Sequence, residues 1–376
     1  MAEVKFKEGL EDVVAGTSEI CFIDGKEGRL VYRGYDVRDL AEHTAFEEVV
    51  YLLWEGHLPT PAEFDEFVAK LYPMEVLAQP VNDLIASLPV STNPMDALRT
   101  AVSLAGIYDP DASDNSYEAS YRKAMRLVAQ IPTIVAAFER RHQGLEPIAP
   151  DPSLRLADNF LYMLHGQRPD KFSAHVFDTA LVLHADHELN ASTFAARVTA
   201  ATLTDLYSAV TSAIGTLKGP LHGGANEQVM LMLDEIGSVE LVDKWIEQAL
   251  AQHKKIMGFG HRVYKTEDPR ATILRRFSRE LGEQTGTLKY YDISEAVKRA
   301  IQSTKTLYPN VDFYSGSVYK AMDIPTELFT PVFAISRIGG WTAHVLEQYR
   351  HNRIIRPRAE YTGATHLEFL PINERK

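Results

Sequence analysis

After residue 35 the chain offers almost no strand. Apolar residues recur at helical rather than alternate spacing, and several helix starts are marked by a capping side chain followed by proline. Thr60-Pro61 opens "TPAEFDEFVAKLY", Asn93-Pro94 opens "NPMDALRTAVSLAGIY", and Asp268-Pro269 opens "PRATILRRFSRELG". In each, a side-chain oxygen can accept a free N–H of the first turn, and proline sits where its missing N–H costs nothing. In "TAFEEVVYLLWEG", Thr44 is the expected cap and Gly56 the stop. The exception is "CFIDGKEGRLVYRG", which reads as a β-hairpin turning between Gly25 and Gly28. The expected fold is therefore all-α with a short N-terminal β-hairpin. A Rossmann or barrel fold would need strands alternating with helices. "YDPDASDNS" and "GLEPIAPDP" read as loops. The Ala-, Ser- and Thr-rich segment 192–217 reads as a central buried helix, or as a helix–helix subunit interface.

At 376 residues, the chain is expected to form a large domain plus a smaller one, or two comparable lobes. Its net charge of -12 argues against nucleic acid as a partner, because phosphate binding needs a basic face. Cys21 is the single cysteine, so no intrachain disulfide can form, which fits the cytoplasm. The opening "MAEVKFKEGLEDVV" has no apolar core and reads as neither signal nor transit peptide. No membrane span is expected, because the best apolar stretch contains Arg197 and Asp205.

Against this acidic background, "GFGHRVYKTEDPR" at 258–270 concentrates cations and glycines. Gly258 and Gly260 allow backbone conformations in which peptide N–H groups turn toward a ligand. Lys254, Lys255, Arg262 and Lys265 surround His261. Arg270 is expected in the first turn of a helix, where the dipole disfavours a cation, so an anion nearby is expected. The bland alternative is a solvated basic loop.

His222 in "LKGPLHGGANE" precedes a helix start. The positive end of the dipole favours its neutral form, and a neutral imidazole can donate to a developing enolate. It reads equally as a turn or cap residue. Asp312 in "YPNVDFYSG" could be a catalytic base or merely an N-cap. His184 and His187 in "LHADHELNAST" lie three apart, as if on one helical face, which raises a metal reading. No second ligand pair accompanies them, and a hydrogen-bonding histidine is the simpler reading. Arg337 stands in an apolar helix beside Gly339 and Gly340 and needs an anionic partner. Arg353, Arg356 and Arg358 form a basic stretch near the end.

Together these segments resemble the citrate synthase family. "GFGHRVYKTEDPR" is similar to the family signature, and "LKGPLHGGANE", "HADHELNAST", "YPNVDFYSG", "SRIGGW" and "RPRAEYTG" follow in the family's order and spacing. The resemblance covers nearly the whole chain. It implies a helical homodimer with a large domain (1–221 and 326–376) and a small domain (222–325). It implies a catalytic triad of His222, His261 and Asp312. It implies oxaloacetate contacts from His187, Arg270, Arg337 and Arg356, the last from the neighbouring subunit. Coenzyme A would meet Ile256, Met257, Gly258, Phe259, Gly260 and Lys265. Acetyl-CoA would be a co-substrate, with no permanently bound cofactor and no metal. The nearest alternative is a 2-methylcitrate synthase using propionyl-CoA. A catalytically silent helical scaffold or metabolite sensor, and a metal-dependent hydrolase built on His184 and His187, are rivals of other classes.

Overall fold

The computed structural model describes residues 7–11, 13–304 and 307–375. Residues 1–6, 12, 305, 306 and 376, which fall within the expected domain ranges, lie outside the described residues. Among the described residues there are sixteen α-helices and one three-stranded sheet.

The sheet is antiparallel, ordered β1 (Cys21–Asp24), β2 (Arg29–Tyr32), β3 (Tyr35–Asp36). The expected hairpin pairs Cys21 with Tyr32 and Asp24 with Arg29. Strand β3 was not expected. It forms because Arg33 and Gly34 both take positive φ, 48° and 94°, and fold the chain straight back.

The three cap-plus-proline starts behave as their chemistry requires. Thr60 and Glu63 form a reciprocal capping box. Asn93 Oδ1 accepts the Met95 N–H at 3.0 Å, and Asp268 Oδ1 accepts the Arg270 N–H at 3.1 Å. Thr44 departs from expectation. Its hydroxyl donates back to Leu40 O at 2.7 Å, so it closes helix Val37–His43 instead of opening the next. Helix Phe46–Glu55 starts one residue later and uses the Glu48 carboxylate to accept the Ala45 N–H.

The segment expected as one helix over 192–217 is two, Ala191–Ala200 and Leu206–Leu217. The chain turns at Leu203, whose φ is 64°. Asp205 then caps the second helix through the Ser208 N–H at 2.9 Å.

Helix Phe329–Arg350 is buried along nearly its whole length, as a helix with apolar residues on every face must be. It packs against helices Phe46–Glu55, Tyr117–His142, Lys171–His184, Ala191–Ala200 and Leu206–Leu217. Its polar groups are paired inside: Thr342 Oγ1, for example, accepts the Trp54 indole N–H at 3.0 Å. A second set of helices, Ala225–Ile236, Val242–Ala251, Pro269–Thr285, Leu288–Thr304 and Val311–Ala321, pack on one another. Chemistry-bearing residues from both sets meet where the sets adjoin.

Candidate active site

Gly258 and Gly260 take φ of 78° and 80°, so glycine is needed there for conformation, as expected. Their peptide groups are nevertheless spent internally. The Gly260 N–H donates to Tyr308 O at 2.9 Å, and Gly258 O accepts the Asn310 N–H at 2.9 Å. Asn310 Nδ2 returns to Gly260 O at 3.0 Å. The Gly260 N–H is thus not turned toward a ligand. Its work is to fasten the segment before His261 to the segment before Asp312.

Asn310, not Asp312, caps helix Val311–Ala321, accepting the Asp312 N–H at 3.1 Å. The Asp312 carboxyl is thereby released from the capping role that was its alternative. Among the described residues no hydrogen-bond donor reaches that carboxyl. Burial pushes its pKa up to about 6, helped by Asp268 and opposed by Arg270 and Arg337.

Arg270 is almost wholly buried. Its Nε and Nη2 grip Asp268 at 3.0 and 2.8 Å. The anion expected beside it is therefore the cap residue itself, which outweighs burial and keeps the guanidinium charged. Asp268 also accepts the Val311 N–H at 3.2 Å. One carboxylate thus orients both Arg270 and the helix that carries Asp312.

His261 Nδ1 accepts the N–H groups of Val263 and Tyr264 at 3.0 and 3.2 Å. Backbone amides only donate, so Nδ1 is unprotonated and the proton sits on Nε2. Burial, then the charge of Arg270, lowers its pKa to about 4. For His222 the tautomer is the opposite one. The Ser192 N–H donates to its Nε2 at 3.3 Å, leaving the proton on Nδ1. Its pKa is also lowered to about 4, by burial first and Arg337 second. The dipole argument pointed to a neutral imidazole, and burial and Arg337 act in the same direction.

His187 and His261 stand edge to face with ring centroids 5.1 Å apart. His187 is buried, and among the described residues its Nε2 has no hydrogen-bond partner. Burial first, then the charges of Arg270 and Arg337 and the unfavourable prospect of a second imidazolium beside His261 or His222, hold its pKa well below the ordinary value. Four sequence-predicted residues therefore act electrostatically on this one imidazole. Arg337 donates from Nε to His184 O at 2.8 Å and lies over the Phe333 ring at 4.7 Å. Phe333 in turn stands 6.4 Å from the His222 ring. Arg270 is already paired with Asp268, so the unmet call for an anion or acceptor falls on Arg337, whose hydrogen bond goes to a neutral carbonyl, and a small anion suits that setting.

His184 and His187 are not on one helical face. Helix Lys171–His184 ends at His184, because Ala185 O is taken by the Gly340 N–H at 3.1 Å and Asp186 turns inward to His344 Nε2 at 3.2 Å. His184 Nδ1 is occupied by Ala180 O at 2.8 Å. Among the described residues no group of three or more His, Cys, Asp and Glu is disposed to hold a metal ion.

The coenzyme-loop candidates divide. The side chains of Ile256 and Phe259 are buried in the core, with Phe259 against Phe313 at 4.7 Å between ring centroids. Met257 packs against that core. Lys265 is exposed and lines a cavity of about 270 Å³ with His261, Tyr264, Asp268, Tyr308 and Pro309. A larger cavity, about 410 Å³, lies apart against helices Phe46–Glu55, Pro61–Leu71 and Tyr117–His142. Carboxylates there are already engaged, Glu63 with Thr60 and Glu66 with Lys70. Arg356 is exposed on the segment after helix Phe329–Arg350, and among the described residues no hydrogen bond or ion pair joins it to these side chains.

Sequence reasoning missed three contributors. Ser192 fixes the His222 tautomer, Asp268 orders two elements, and Tyr264 places a buried hydroxyl without a partner beside His187 and His261. Tyr264 lies inside the cationic stretch and could have been singled out there. Ser192 carries no such signal, because its partner is thirty residues away.

Among the described residues no helix is long and apolar enough to cross a membrane. The family described as citrate synthase, C-terminal domain, matches residues 9–358. Citrate synthase 2 of Bacillus subtilis is 51% identical over 98% of this chain and 98% of its own length. A 2-methylcitrate synthase of Mycobacterium tuberculosis is 44% identical over 95% of this chain and 90% of its own. The citrate synthase of Thermoplasma acidophilum, solved as a ternary complex with carboxymethyl coenzyme A and oxaloacetate, is 34% identical over 99% of this chain and 100% of that one, with a TM-score of 0.93. With the family match spanning most of its length and a relative identical at half its positions, the chain belongs to the citrate synthase family.

Proposed function

We propose that this acyltransferase condenses acetyl-CoA with oxaloacetate and water to give citrate and free CoA. The observation that carries the reading is a pair of neutral imidazoles with opposite tautomers and a carboxyl raised to about pKa 6, tied together by Arg270, which acts on His261 and Asp312, and Arg337, which acts on His222 and Asp312. Asp312, ionised, takes a proton from the acetyl methyl. His222 donates from Nδ1–H to the thioester oxygen as the enolate forms, so charge is met where it develops. The enolate carbon attacks the ketone of oxaloacetate, and His261 donates from Nε2–H to the ketone oxygen. Water then cleaves the citryl thioester and CoA leaves as the thiol. Proton transfer and hydrogen bonding carry all the polarisation, so the scheme calls for no metal and no resident cofactor.

Oxaloacetate is a dianion. His187, Arg270 and Arg337 are the ligands we assign to it, with Arg356 supplied by a second subunit. Support for a homodimer comes from the chain after Arg350, whose described residues are exposed except for the half-buried Asn352 and Ile355, and which carries Leu367, Phe369 and Ile372 each at least 80% exposed. The segment 256–260 with Lys265 is assigned to CoA, with Lys265 at the mouth of the cavity. The domain boundary is placed at 222 and 326, the crossing points between the two packed helix sets. With one cysteine, buried, and a net charge of -12, the enzyme is assigned to the cytoplasm.

Free-thiol release with acetyl-CoA and with propionyl-CoA, each with and without oxaloacetate, tests the reading. Oxaloacetate-dependent release with acetyl-CoA preferred is the expected result. A preference for propionyl-CoA would move the assignment to 2-methylcitrate synthesis, since one methylene is worth only about 1–3 kcal/mol in an apolar pocket. No release with either acyl-CoA would leave the scaffold reading.

A further inference from the structure

Gly25 lies in the β1–β2 turn, and its φ is not in the left-handed region. Conformation does not require glycine there; space does. A Cβ on Gly25 would stand 2.2 Å from the carbonyl oxygen of Val263 and 2.9 Å from its carbon. At the other side of the turn, a Cβ on Gly28 would stand 2.9 Å from Glu267 O and 2.8 Å from Thr266 Cγ2. Between these contacts the Lys265 N–H donates to Gly25 O at 2.8 Å. The turn is therefore pressed, backbone to backbone, against residues 263–267. That segment begins with the two amides that hold His261 Nδ1.

The other end of the hairpin is anchored beside the second histidine. The Tyr32 hydroxyl of β2 donates to Asp186 O at 2.9 Å and accepts the Asp186 N–H at 3.2 Å. Asp186 precedes His187. Arg33, just beyond β2, donates to Leu53 O at 3.0 Å and ties the sheet to helix Phe46–Glu55. A single small sheet thus touches the backbone next to His187 at one end and the backbone next to His261 at the other.

We propose that this sheet is a gauge that sets the separation of His187 and His261, with Gly25 as the positioning residue that lets the loop after His261 seat at the distance the oxaloacetate ketone requires. The proposal rests on the function assigned above. Donor placement within fractions of an ångström governs how strongly a carbonyl is polarised, and misplacement by about 1 Å can cost roughly a hundredfold in rate. A methyl group at position 25 has nowhere to go, because what it meets is backbone.

The test is Gly25→Ala in the full chain, with Lys26→Ala as a control on the same turn, since Lys26 is exposed. Three quantities are measured: kcat by thiol release, melting temperature, and the infrared stretch of the ketone of bound oxaloacetate labelled with ¹³C. In the unmodified enzyme the ketone stretch is expected below that of free oxaloacetate. In Gly25→Ala the stretch should return toward the free value while kcat falls about tenfold or more, and Lys26→Ala should match the unmodified enzyme in both. Unchanged kcat and stretch in Gly25→Ala overturn the proposal. A fall in kcat with an unmoved stretch also overturns it, because a merely structural glycine would behave that way. If Gly25→Ala does not fold, Gly28→Asn, whose side chain tolerates positive φ, carries the same pair of expectations. Failure of the functional assignment reads differently: the unmodified enzyme would then release no thiol.

Discussion

The backbone N–H of Ser192 points at Nε2 of His222 across 3.3 Å, and the Ser192 hydroxyl stands 2.8 Å from the same nitrogen. That hydroxyl is itself fixed: it accepts the Trp341 indole N–H at 3.1 Å, and its single proton is shared between Asn190 Oδ1 and His222 Nε2, each 2.8 Å away. A neutral imidazole so held presents Nδ1–H in one direction only. Ser192→Ala keeps the amide and removes the hydroxyl. It is expected to lower kcat by about 10- to 100-fold while the KM for oxaloacetate moves by no more than about twofold. Steady-state kinetics with both substrates varied will show the split. A raised KM with kcat intact would mean that Ser192 serves binding instead.

Asp312 should set the acid limb of the pH profile. Its pKa of about 6 lies well above the pKa of about 4 for His222 and His261. The base must be ionised and the imidazoles neutral. As pH falls through about 6, Asp312 takes up a proton and activity drops, while both histidines are still neutral. The profile of kcat/KM for acetyl-CoA should therefore bend once near pH 6, with unit slope below it. Asp312→Gly should lower turnover by about a thousandfold or more. It should leave oxaloacetate binding measurable by calorimetry, because the assigned ligands lie elsewhere. An acid limb near pH 4 would transfer the titration to a histidine.

Much of this arrangement was legible because local chemistry wrote it. Thr60, Asn93 and Asp268 cap the helices that their neighbouring prolines announce, and the hairpin closes where Gly25 and Gly28 stand. Thr44 misled because a threonine can bond backward as easily as forward, and only the packed structure chooses Leu40 O. Asp312 was ambiguous for the same reason until Asn310 was found capping in its place. The pairing of Arg270 with Asp268 was half visible: a cation in a first turn calls for an anion, yet the spacing does not say whether protein or substrate supplies it. Ser192 was not legible as a site residue, since its role depends on contacts that tertiary packing creates, whereas Tyr264 was legible only as a member of the cationic stretch. The break at Leu203 was hidden because the same small residues suit one long helix or two short ones.

Three buried carboxyls, Glu47, Glu75 and Asp178, carry a separate expectation about stability. Burial pushes Glu75 and Asp178 up to about 8 and raises Glu47 as well. Glu75 Oε2 accepts from Asn159 Nδ2 at 2.5 Å, and among the described residues its Oε1 has no partner. An unfolded glutamate loses its proton near pH 4.5, whereas the folded one keeps it up to about 8. Stability therefore falls as pH rises through that window and levels off above it. Glu75→Gln preserves an acceptor for Asn159 and removes the titration. It should stabilise the fold by about 1–3 kcal/mol at pH 8, with the gain vanishing near pH 4.5. Denaturant titrations across that range will measure the difference, and a constant gain at all pH values would assign the effect to packing.

Arg356 tests whether one active site draws on two chains. It is exposed, and among the described residues no side-chain hydrogen bond or ion pair engages it. A guanidinium that belongs to a dianion site yet stands free on its own subunit has its natural place in a neighbour's site. Arg356→Ala should raise the KM for oxaloacetate by about tenfold or more, with a smaller effect on kcat. Mixing it with Asp312→Gly separates the alternatives at low oxaloacetate. If Arg356 acts across the dimer, each mixed dimer regains one intact site and one doubly defective site. Random reassembly makes half the dimers mixed, so about a quarter of the unmodified activity should return. If Arg356 serves its own subunit, every site in the mixture carries one lesion and nothing returns. Refolding the two variants together and assaying thiol release below the variant's KM gives the answer directly.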